Sequence, residues 1–325
     1  MRPQPVTARP EGGTDFLVFG SLFFEIVFGD FDRLPGPGEE IFTDAFAYSC
    51  GGALTPAVAA SQAGANAALA TLLGDDLASK FAIEVCGREK IDLSSSQFVD
   101  GPVAGISVVL NFDGDRAFIS HMPRTPTSLP PEPERWLEIV RRARPTWCYL
   151  HPDPGLVGFL EQTRALGTRV ALDVNVGEID DFGPAVIDCA RLADVFLPNE
   201  DELLHLTGAP DLAEAIDRAE EWCPWLIVKR GPKGAIAVDR GRATEVTEGL
   251  EDVVVRDRTG AGDAFAGALI GKIVRGSSLF EAVVAGNAAG SGAVARLGAA
   301  GELSITGLVS GLTPGTTRTR GEGTA

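Results

Sequence analysis

The segment 257–263, Asp-Arg-Thr-Gly-Ala-Gly-Asp, constrains the fold more than any other part of this chain. Three valines at 253–255 precede it, and a short β-branched apolar run predicts a buried strand. After it, Phe265, Leu269 and Ile273 recur every four residues, which predicts the apolar face of a helix. The glycine-rich turn is therefore expected where a strand passes into the N-terminus of a helix.

A turn in this position is suited to binding an anion. The first backbone N–H groups of a helix have no partner within it, and the positive end of the helix dipole favours a phosphate. The amides of Gly260, Ala261 and Gly262 would form such a site, since glycine lets the backbone approach a ligand closely. Asp263 has two interpretations: a carboxylate that caps the helix or stabilises its dipole, or a proton acceptor beside a transferring phosphoryl group.

Strand-like and helix-like stretches alternate along the chain, which predicts a mostly parallel sheet covered by helices, a Rossmann-like α/β fold. Stretches 25–48 and 97–121 break the alternation, because they have strand patterns without helices. In the second, Asp113-Gly114 predicts a hairpin turn, so a small separate sheet is expected. The predicted strands are 16–20, 67–73, 147–150, 169–174, 195–198 and 226–229, and the predicted helices include 55–63, 77–89, 131–142 and 211–222.

Charge and cysteine usage argue against several classes of protein. A net charge of −17 disfavours a nucleic-acid-binding surface, which would be basic. No apolar run approaches the ~20 residues of a membrane span, and the N-terminus lacks a signal-peptide core. The five cysteines form no Cys-x-x-Cys pair, which favours free thiols and a cytoplasmic enzyme. His121, His151 and His205 lack metal-ligand spacing and are interpreted as surface or packed residues.

Residues 257–263 resemble the signature Asp-x-Thr-Gly-Ala-Gly-Asp of the ribokinase-like (PfkB-type) carbohydrate kinase family. The resemblance implies a ribokinase-like domain at 14–310, with lid segments at approximately 23–48 and 97–122. The flanking residues 1–13 and 312–325 are polar and turn-rich and are expected to be disordered. Further matching elements, in the family's order, are Gly20-Ser21, 34–39, Gly51-Gly52, Gly74-Asp75-Asp76, Asp173-Val174-Asn175, 199–202, 229–234 and Asn287-Ala288-Ala289.

The resemblance assigns roles to the residues of the turn and to a metal site. It implies that Asp263 is the catalytic base and that residues 260–262 form the anion hole. It also implies that Glu202, with Asn199, holds Mg²⁺ and the ATP phosphates through water. Asn-x-x-Glu taken alone is more typical of a helix cap than of a metal site.

The nucleotide is expected along residues 229–234. Glycines there would permit its close approach, although the same pattern is typical of an ordinary turn after a strand. The resemblance also allows a monovalent cation, K⁺, near Asp257 and Thr259. The nucleotide-binding residues that it implies are Lys229, Gly231, Gly234, Thr259 and Asn287.

On the acceptor side the chain departs from the family pattern. Where the family has Gly-x-x-Asn-x-Asp after its first strand, Phe23 replaces the Asn and Glu25 replaces the Asp. Pro56 stands where an Asn usually follows the glycine pair. Either the acceptor is less polar or larger, with an aromatic ring stacked on Phe23, or Thr55, Glu25 and backbone groups compensate. The predicted acceptor-binding residues are Phe23, Glu25, Gly51, Gly52 and Thr55.

These observations predict an ATP-dependent kinase that phosphorylates a hydroxyl of a small sugar or sugar derivative and forms a homodimer through its lid. The alternatives are a nucleoside kinase of the same fold and a non-catalytic nucleotide or sugar sensor. Retention of both Asp263 and Glu202 argues against the sensor. The chain has no Gly-x-x-x-x-Gly-Lys-[Ser/Thr] sequence, which disfavours a P-loop NTPase, and Phe265 breaks the dinucleotide-binding pattern.

Overall fold

In the computed structural model, which describes residues 13–112, 115–122, 132–240, 242–246 and 253–299, the strands form three sheets. The strands are β1 (Phe16–Phe19), β2 (Leu22–Phe31), β3 (Ala45–Gly52), β4 (Ala67–Ala70), β5 (Leu72–Leu73), β6 (Gln97–Phe98), β7 (Gly105–Phe112), β8 (Asp115–His121), β9 (Trp147–Leu150), β10 (Arg169–Leu172), β11 (Val195–Phe196), β12 (Trp225–Lys229), β13 (Ala235–Asp239) and β14 (Arg242–Val246). The helices are α1 (Leu54–Gln62), α2 (Leu77–Arg88), α3 (Pro133–Ala143), α4 (Val157–Ala165), α5 (Val176–Phe182), α6 (Pro184–Leu192), α7 (Glu200–Thr207), α8 (Leu212–Ala219), α9 (Ala261–Val274) and α10 (Leu279–Val294).

The central sheet has the strand order β14-β13-β12-β11-β10-β9-β1-β4. The strands from β4 to β12 pair in parallel, and β13 and β14 extend one edge in antiparallel orientation. Parallel neighbours place their carboxyl ends at the same edge of the sheet, where ligands bind in open α/β folds. The mostly parallel sheet predicted from the sequence is confirmed, and the antiparallel edge is an addition to it.

Helices cover the central sheet on both faces. Successive residues of a buried strand point to opposite sides, so each strand contributes side chains to two cores. In β1, Phe16 and Val18 join the core beneath α1, α2, α9 and α10, whereas Leu17 and Phe19 join the core beneath α3 to α8. Among the described residues no helix is long and apolar enough to cross a membrane. All five cysteines are buried and free, as the sequence predicted.

The small separate sheet predicted from the sequence is present, with four strands in the order β3-β2-β7-β8, and is called the lid below. Strands β2 and β3 and strands β7 and β8 are antiparallel pairs, and β2 pairs with β7 in parallel. The pairing of β7 with β8 is that of the expected hairpin, and its turn, Asp113-Gly114, lies outside the described residues. Strand β6, at the start of the second predicted lid stretch, pairs instead with β5 in a separate two-stranded sheet.

Two strand predictions are corrected by the structure. Residues 253–255 are not a strand: Val254 is 76% and Val255 48% exposed. The next two residues, Arg256 and Asp257, donate their backbone N–H groups to the Val294 carbonyl at the end of α10 rather than to a neighbouring strand. The predicted strand 67–73 is divided, since β4 pairs with β1 and β5 pairs with β6. An apolar β-branched run cannot by itself distinguish a sheet strand from an extended segment.

Close contact with α1 positions α9. A Cβ atom added at Gly267 would lie 2.2 Å from the Pro56 carbonyl oxygen and 2.9 Å from the Ala59 Cβ. One at Gly271 would lie 2.7 Å from the Ala63 Cβ. The two glycines therefore let the helix backbones approach, and this packing places the start of α9 above the carboxyl edge of the sheet.

Residues 297–299 connect the lid to the glycine turn. Leu297 packs against the lid core formed by Val27, Ala47 and Val109. The N–H of Gly298 donates to Asp257 Oδ2 at 2.9 Å, and that of Ala299 donates to Glu25 Oε2 at 3.3 Å. Glu25 is only 5% exposed, and burial, assisted by the charge of Asp257, raises its pKa to about 7. The side chain of this lid residue is thus part of the structural support of the turn.

We predict that Gly267→Ala lowers the free energy of unfolding by about 1–3 kcal/mol, because the added methyl group overpacks the α1–α9 contact. The matched control is Gly292→Ala in α10, where an added Cβ meets nothing within 4 Å. Alanine is the better helix former, so the control is expected to gain roughly 0.5–1 kcal/mol. Urea unfolding measures both, and equal effects of the two substitutions would contradict the packing argument.

We also predict that Glu25→Gln flattens the dependence of stability on pH. The folded-state pKa of Glu25, about 7, lies above its ordinary value of 4.5, so the folded protein binds more protons between these values. Its stability therefore falls as the pH rises from 4.5 to 7, by about 3 kcal/mol for this group. Urea unfolding at pH 5, 6, 7 and 8 should show this fall reduced in the variant. The exposed Glu161→Gln on α4 should leave the profile unchanged, and an unchanged profile in Glu25→Gln would refute the prediction.

Candidate active site

A cleft of about 1540 Å³ lies between the lid and the carboxyl edge of the central sheet. Residues that follow successive parallel strands meet in it, because the strands end at the same edge. Gly20 follows β1, His151 follows β9, Asp173 follows β10 and Asn199 follows β11, and Lys229 ends β12. The start of α9 and part of α10 line the same space.

The glycine turn precedes a helix, as the sequence predicted, although the segment 253–255 before it is not a strand. Gly260 precedes α9 with a φ of +73°, and Gly260, Ala261 and Gly262 line the cleft. A Cβ at Gly260 would lie 2.6 Å from that of Ala299, and a Cβ at Gly262 would lie 3.1 Å from Lys229 Nζ. The first amides of α9 have no partner within the helix and, with the helix dipole, favour an anion. The Lys229 ammonium group lies beside them and adds positive charge.

Asp263 belongs to a buried polar network. The hydroxyl of Tyr149 lies 3.0 Å from Asp263 Oδ1 and 3.1 Å from Asp173 Oδ2. Lys229 Nζ donates to both oxygens of Asp173, at 2.7 and 2.9 Å. Burial raises the pKa of Asp263, and the nearby charge of Asp173 raises it further. Burial alone would lower the pKa of Lys229, but the charges of Asp173 and Glu202 outweigh it and raise that pKa.

Asn199 and Glu202 form a reciprocal helix cap at the start of α7. Asn199 Oδ1 accepts the Glu202 N–H at 2.8 Å, and Glu202 Oε2 accepts the Asn199 N–H at 2.7 Å. Both residues also line the cleft, so the cap orients the Glu202 carboxylate towards the site. Burial raises the pKa of Glu202 to about 7, although the Lys229 charge opposes the rise. The structure thus contains the capping arrangement, and the Mg²⁺ role of the pair stays a prediction.

The residues expected to contact the nucleotide divide into two groups. Gly231 and Gly234, at φ +55° and +76°, border a short 3₁₀ turn in the cleft. Asn287 on α10 lines the cleft with them and is 6% exposed. Asp257 and Thr259 instead lie behind the turn, where Asp257 Oδ1 accepts the Thr259 N–H at 2.8 Å. The cleft therefore gathers Lys229, Gly231, Gly234 and Asn287, and their individual roles stay predictions.

The acceptor side is likewise divided. Phe23 and Gly52 line the cleft, whereas Glu25, Gly51 and Thr55 are not among its lining residues in the described chain. A Cβ at Gly51 would lie 2.2 Å from Glu25 Oε1, so the Glu25 side chain lies over this glycine. A Cβ at Gly105 would lie 2.7 Å from the Phe23 ring, so that glycine makes room for the ring beneath the lid.

Tyr149 and His151 are among the cleft residues that sequence reasoning missed. His151 was interpreted as a surface or packed histidine, but it lines the cleft with Nδ1 3.0 Å from Glu178 Oε2. Burial would lower its pKa, yet the contact with Glu178 and the charges of Asp173 and Asp263 raise it to about 9. Their position at the end of the predicted strand 147–150 was the available signal, since such ends meet at the binding edge.

Comparison with known proteins agrees with this architecture. The model of the pfkB family carbohydrate kinases matches residues 17–305. The chain is 26% identical over 275 residues to the cytidine kinase of Thermococcus kodakarensis, and the alignment covers 83% of this chain and 92% of that protein. It is 29% identical over 294 residues to the ribokinase of Arabidopsis thaliana, and this alignment covers 84% of this chain and 74% of that protein.

Solved structures share the fold. Arabidopsis thaliana ribokinase complexed with ribose and ATP matches with a TM-score of 0.71 at 26% identity, covering 87% of this chain and 93% of that chain. A putative Ribokinase II from E. coli, in complex with ATP and Mg²⁺, matches with a TM-score of 0.72 at 20% identity and the same coverage. Since the family model spans most of the chain and the fold agrees with it, this protein belongs to the pfkB family of carbohydrate kinases.

Proposed function

We propose that this kinase transfers the γ-phosphate of ATP to a hydroxyl of a small sugar or sugar derivative held beneath the lid. The observation that carries the proposal is the position of the Asp263 carboxylate in the first turn of α9, beside the glycine turn and Lys229. A proton acceptor and an anion-binding helix N-terminus thus share one cleft. The network of Asp263, Tyr149, Asp173 and Lys229 is also intact, which argues against a sensor that has lost its chemistry.

The proposed reaction needs little covalent chemistry from the protein. Asp263 orients the acceptor hydroxyl and takes its proton while the new O–P bond forms and the bond from the γ-phosphorus to the ADP oxygen breaks. An alcohol is far less acidic than a carboxyl group, so the proton moves during transfer rather than before it. The raised pKa of Asp263 makes it a better acceptor for that proton. The amides at 260–262 and Lys229 stabilise negative charge on the moving phosphoryl group.

The residues at the start of α7 fit a Mg²⁺ ion that keeps most of its water ligands. Hard cations prefer oxygen donors, and the cap holds the Glu202 carboxylate at the cleft wall. Glu202 would hold the ion through water, with Asn199 beside it. When bound, the ion would neutralise charge on the phosphate oxygens.

A second candidate acceptor is a nucleoside. Phe23 replaces a polar residue of the family pattern, and its ring faces the cleft beneath the lid. An aromatic ring there could stack on a nucleobase, and base–aromatic stacking contributes roughly 1–3 kcal/mol per base. A cytidine kinase is among the relatives described above, which adds support.

We further propose that a monovalent cation binds behind the turn near Asp257 and Thr259. Asp257 is 2% exposed, and among the described residues the buried Thr259 Oγ1 has no hydrogen-bond partner. An oxygen left without a partner in such a place favours a cation.

The lid is also proposed as the homodimer contact. Several apolar side chains are exposed on it, and such surfaces often mark interaction sites. They are Ile106, Phe118, Ile119 and Met122.

We predict that Asp263→Asn lowers kcat at least ~10²-fold and leaves the Kd of ATP nearly unchanged, because it removes the proton acceptor and keeps the shape of the site. ATP consumption measures the first quantity and equilibrium titration with ATP the second. The control is Asp188→Asn on α6, a residue with a 59% exposed side chain outside the cleft. Turnover near the wild-type rate in Asp263→Asn would remove this residue from the proposed reaction.

Phe23→Ala distinguishes the two acceptor classes. ATP consumption is first measured for the unaltered protein with panels of sugars and nucleosides. If the acceptor is a nucleoside, loss of the stacking ring should lower kcat/KM for it by roughly 10- to 100-fold. If the acceptor is a sugar, the loss should be much smaller. Phe280→Ala, at a 52% exposed position of α10 outside the lid and the cleft, is the control. Binding of nucleotide without turnover of any acceptor would favour the sensor instead.

A further inference from the structure

We propose that Tyr149 is a positioning residue for Asp263, a hydroxyl bridge that keeps the base hydrogen-bonded before and after it takes the acceptor's proton. The inference rests on the proposed function and extends it to a residue that the sequence motifs did not include. Tyr149 is in β9 and is 1% exposed, so its ring is immobilised in the core while its hydroxyl reaches the cleft.

The geometry of the bridge is specific. The Tyr149 hydroxyl lies 3.0 Å from Asp263 Oδ1 and 3.1 Å from Asp173 Oδ2, both normal hydrogen-bond distances. A phenol has one proton to donate, so it can donate to only one of the two carboxylates at a time. Its oxygen can also accept a bond. The bridge therefore has two hydrogen-bonded arrangements that need no movement of the ring.

The two arrangements match the two states of the base. While Asp263 is ionised, the Tyr149 hydroxyl donates to it and holds the carboxylate in place. When the acceptor's O–H bond breaks, its proton binds to an oxygen of Asp263, and rotation of the protonated carboxyl group then lets it donate to the Tyr149 oxygen. The hydroxyl of Tyr149 turns and donates to Asp173. No proton leaves Tyr149, and no buried oxygen of the bridge loses its partner in either state.

Two features make this exchange feasible. Asp173 is held by Lys229 through both of its oxygens, so it stays hydrogen-bonded and in place whether or not the tyrosine donates to it. Burial, the two carboxylates and the hydrogen bonds to them raise the pKa of Tyr149 well above its ordinary value. Tyr149 therefore stays a neutral phenol and does not act as a base itself.

Several charged groups act on Asp263 besides the tyrosine. Burial and Asp173 raise its pKa, whereas His151, Lys229 and the Tyr149 hydrogen bond lower it. Of these, only the Tyr149 bond is lost on removal of the hydroxyl. The groups that face Asp263 are Tyr149 in β9, His151 after β9, Asp173 after β10 and Lys229 in β12, with Glu25 on β2 and Glu202 on α7 farther out in the same network.

The test is Tyr149→Phe, which removes the hydroxyl and keeps the ring. The chain has two tyrosines, and the other gives the matched control: Tyr48→Phe in β3, whose ring packs against Phe24 and Phe46 on the lid.

Tyr149→Phe should lower kcat on the order of 10- to 100-fold with little change in the KM of ATP, since a misplaced base slows only the chemical step. In the pH profile of kcat/KM, the acid limb reports protonation of Asp263. This limb should move to higher pH, because a donor that stabilised the ionised base is gone. Tyr48→Phe should change neither.

The outcomes separate this inference from the proposed function. If Asp263→Asn retains turnover, the base assignment itself fails. If Asp263→Asn is inactive while Tyr149→Phe keeps the wild-type kcat and acid limb, the bridge alone is refuted. A lower kcat with an unmoved acid limb would indicate a merely structural tyrosine and would also overturn the inference.

A second measurement applies if Tyr149→Phe does not fold. In the Tyr48→Phe chain, replacing tyrosine by 3,5-difluorotyrosine alters Tyr149 alone and makes its hydroxyl a stronger donor. The acid limb should then move to lower pH, opposite to the effect of the phenylalanine. An unmoved limb in the fluorinated protein would count against the bridge.

Discussion

A largely buried ion pair between Lys229 and Asp173 organises the site of this kinase. It joins the ends of β12 and β10, which are separated in the sheet by β11, so it ties together the edge at which the cleft opens. Burying two charges is costly unless each is paired and hydrogen-bonded. Here the ammonium group has both Asp173 oxygens, and the same Nζ would lie 3.1 Å from a Cβ atom added at Gly262, so the ion pair borders the glycine turn. The glycine turn and its aspartate, which the packing of α9 on α1 positions, therefore lie directly beside this contact between two strands.

More carboxyl groups lie around this ion pair than a core selected for stability alone would contain. Asp263, Glu202 and Glu25 all have pKa values raised chiefly by burial, which means that each ionised form is disfavoured in the folded state. Such a cluster lowers stability at neutral pH and is typical of functional sites. The proposed phosphoryl transfer would account for this cluster, because it assigns a proton acceptor and a metal-organising carboxylate to one cleft.

Part of the fold and of the candidate site could be predicted from local patterns. The strand–helix alternation predicted the parallel sheet, and the paired strand stretches predicted the lid. The glycine turn was predicted because its residue types and spacing are themselves the requirement for an anion site. The pattern failed at 253–255, where β-branched valines belong to an exposed segment beside the cleft. It also gave the helix cap and the metal site as alternatives for Asn199 and Glu202, whereas in the structure the two residues cap α7 and line the cleft as well.

The sequence by itself determined the parallel sheet, the small second sheet, and the glycine turn at residues 260–262 with the aspartate that follows it, because these depend on residues adjacent in the chain. Only the tertiary structure decided which distant side chains meet them. Tyr149 reaches Asp263 across 114 positions of the chain, and Glu25 meets Ala299 across 274. Such contacts depend on strand order and helix packing, which bring the ends of strands far apart in sequence to one edge of the sheet. Residue spacing along the chain does not encode these distances directly.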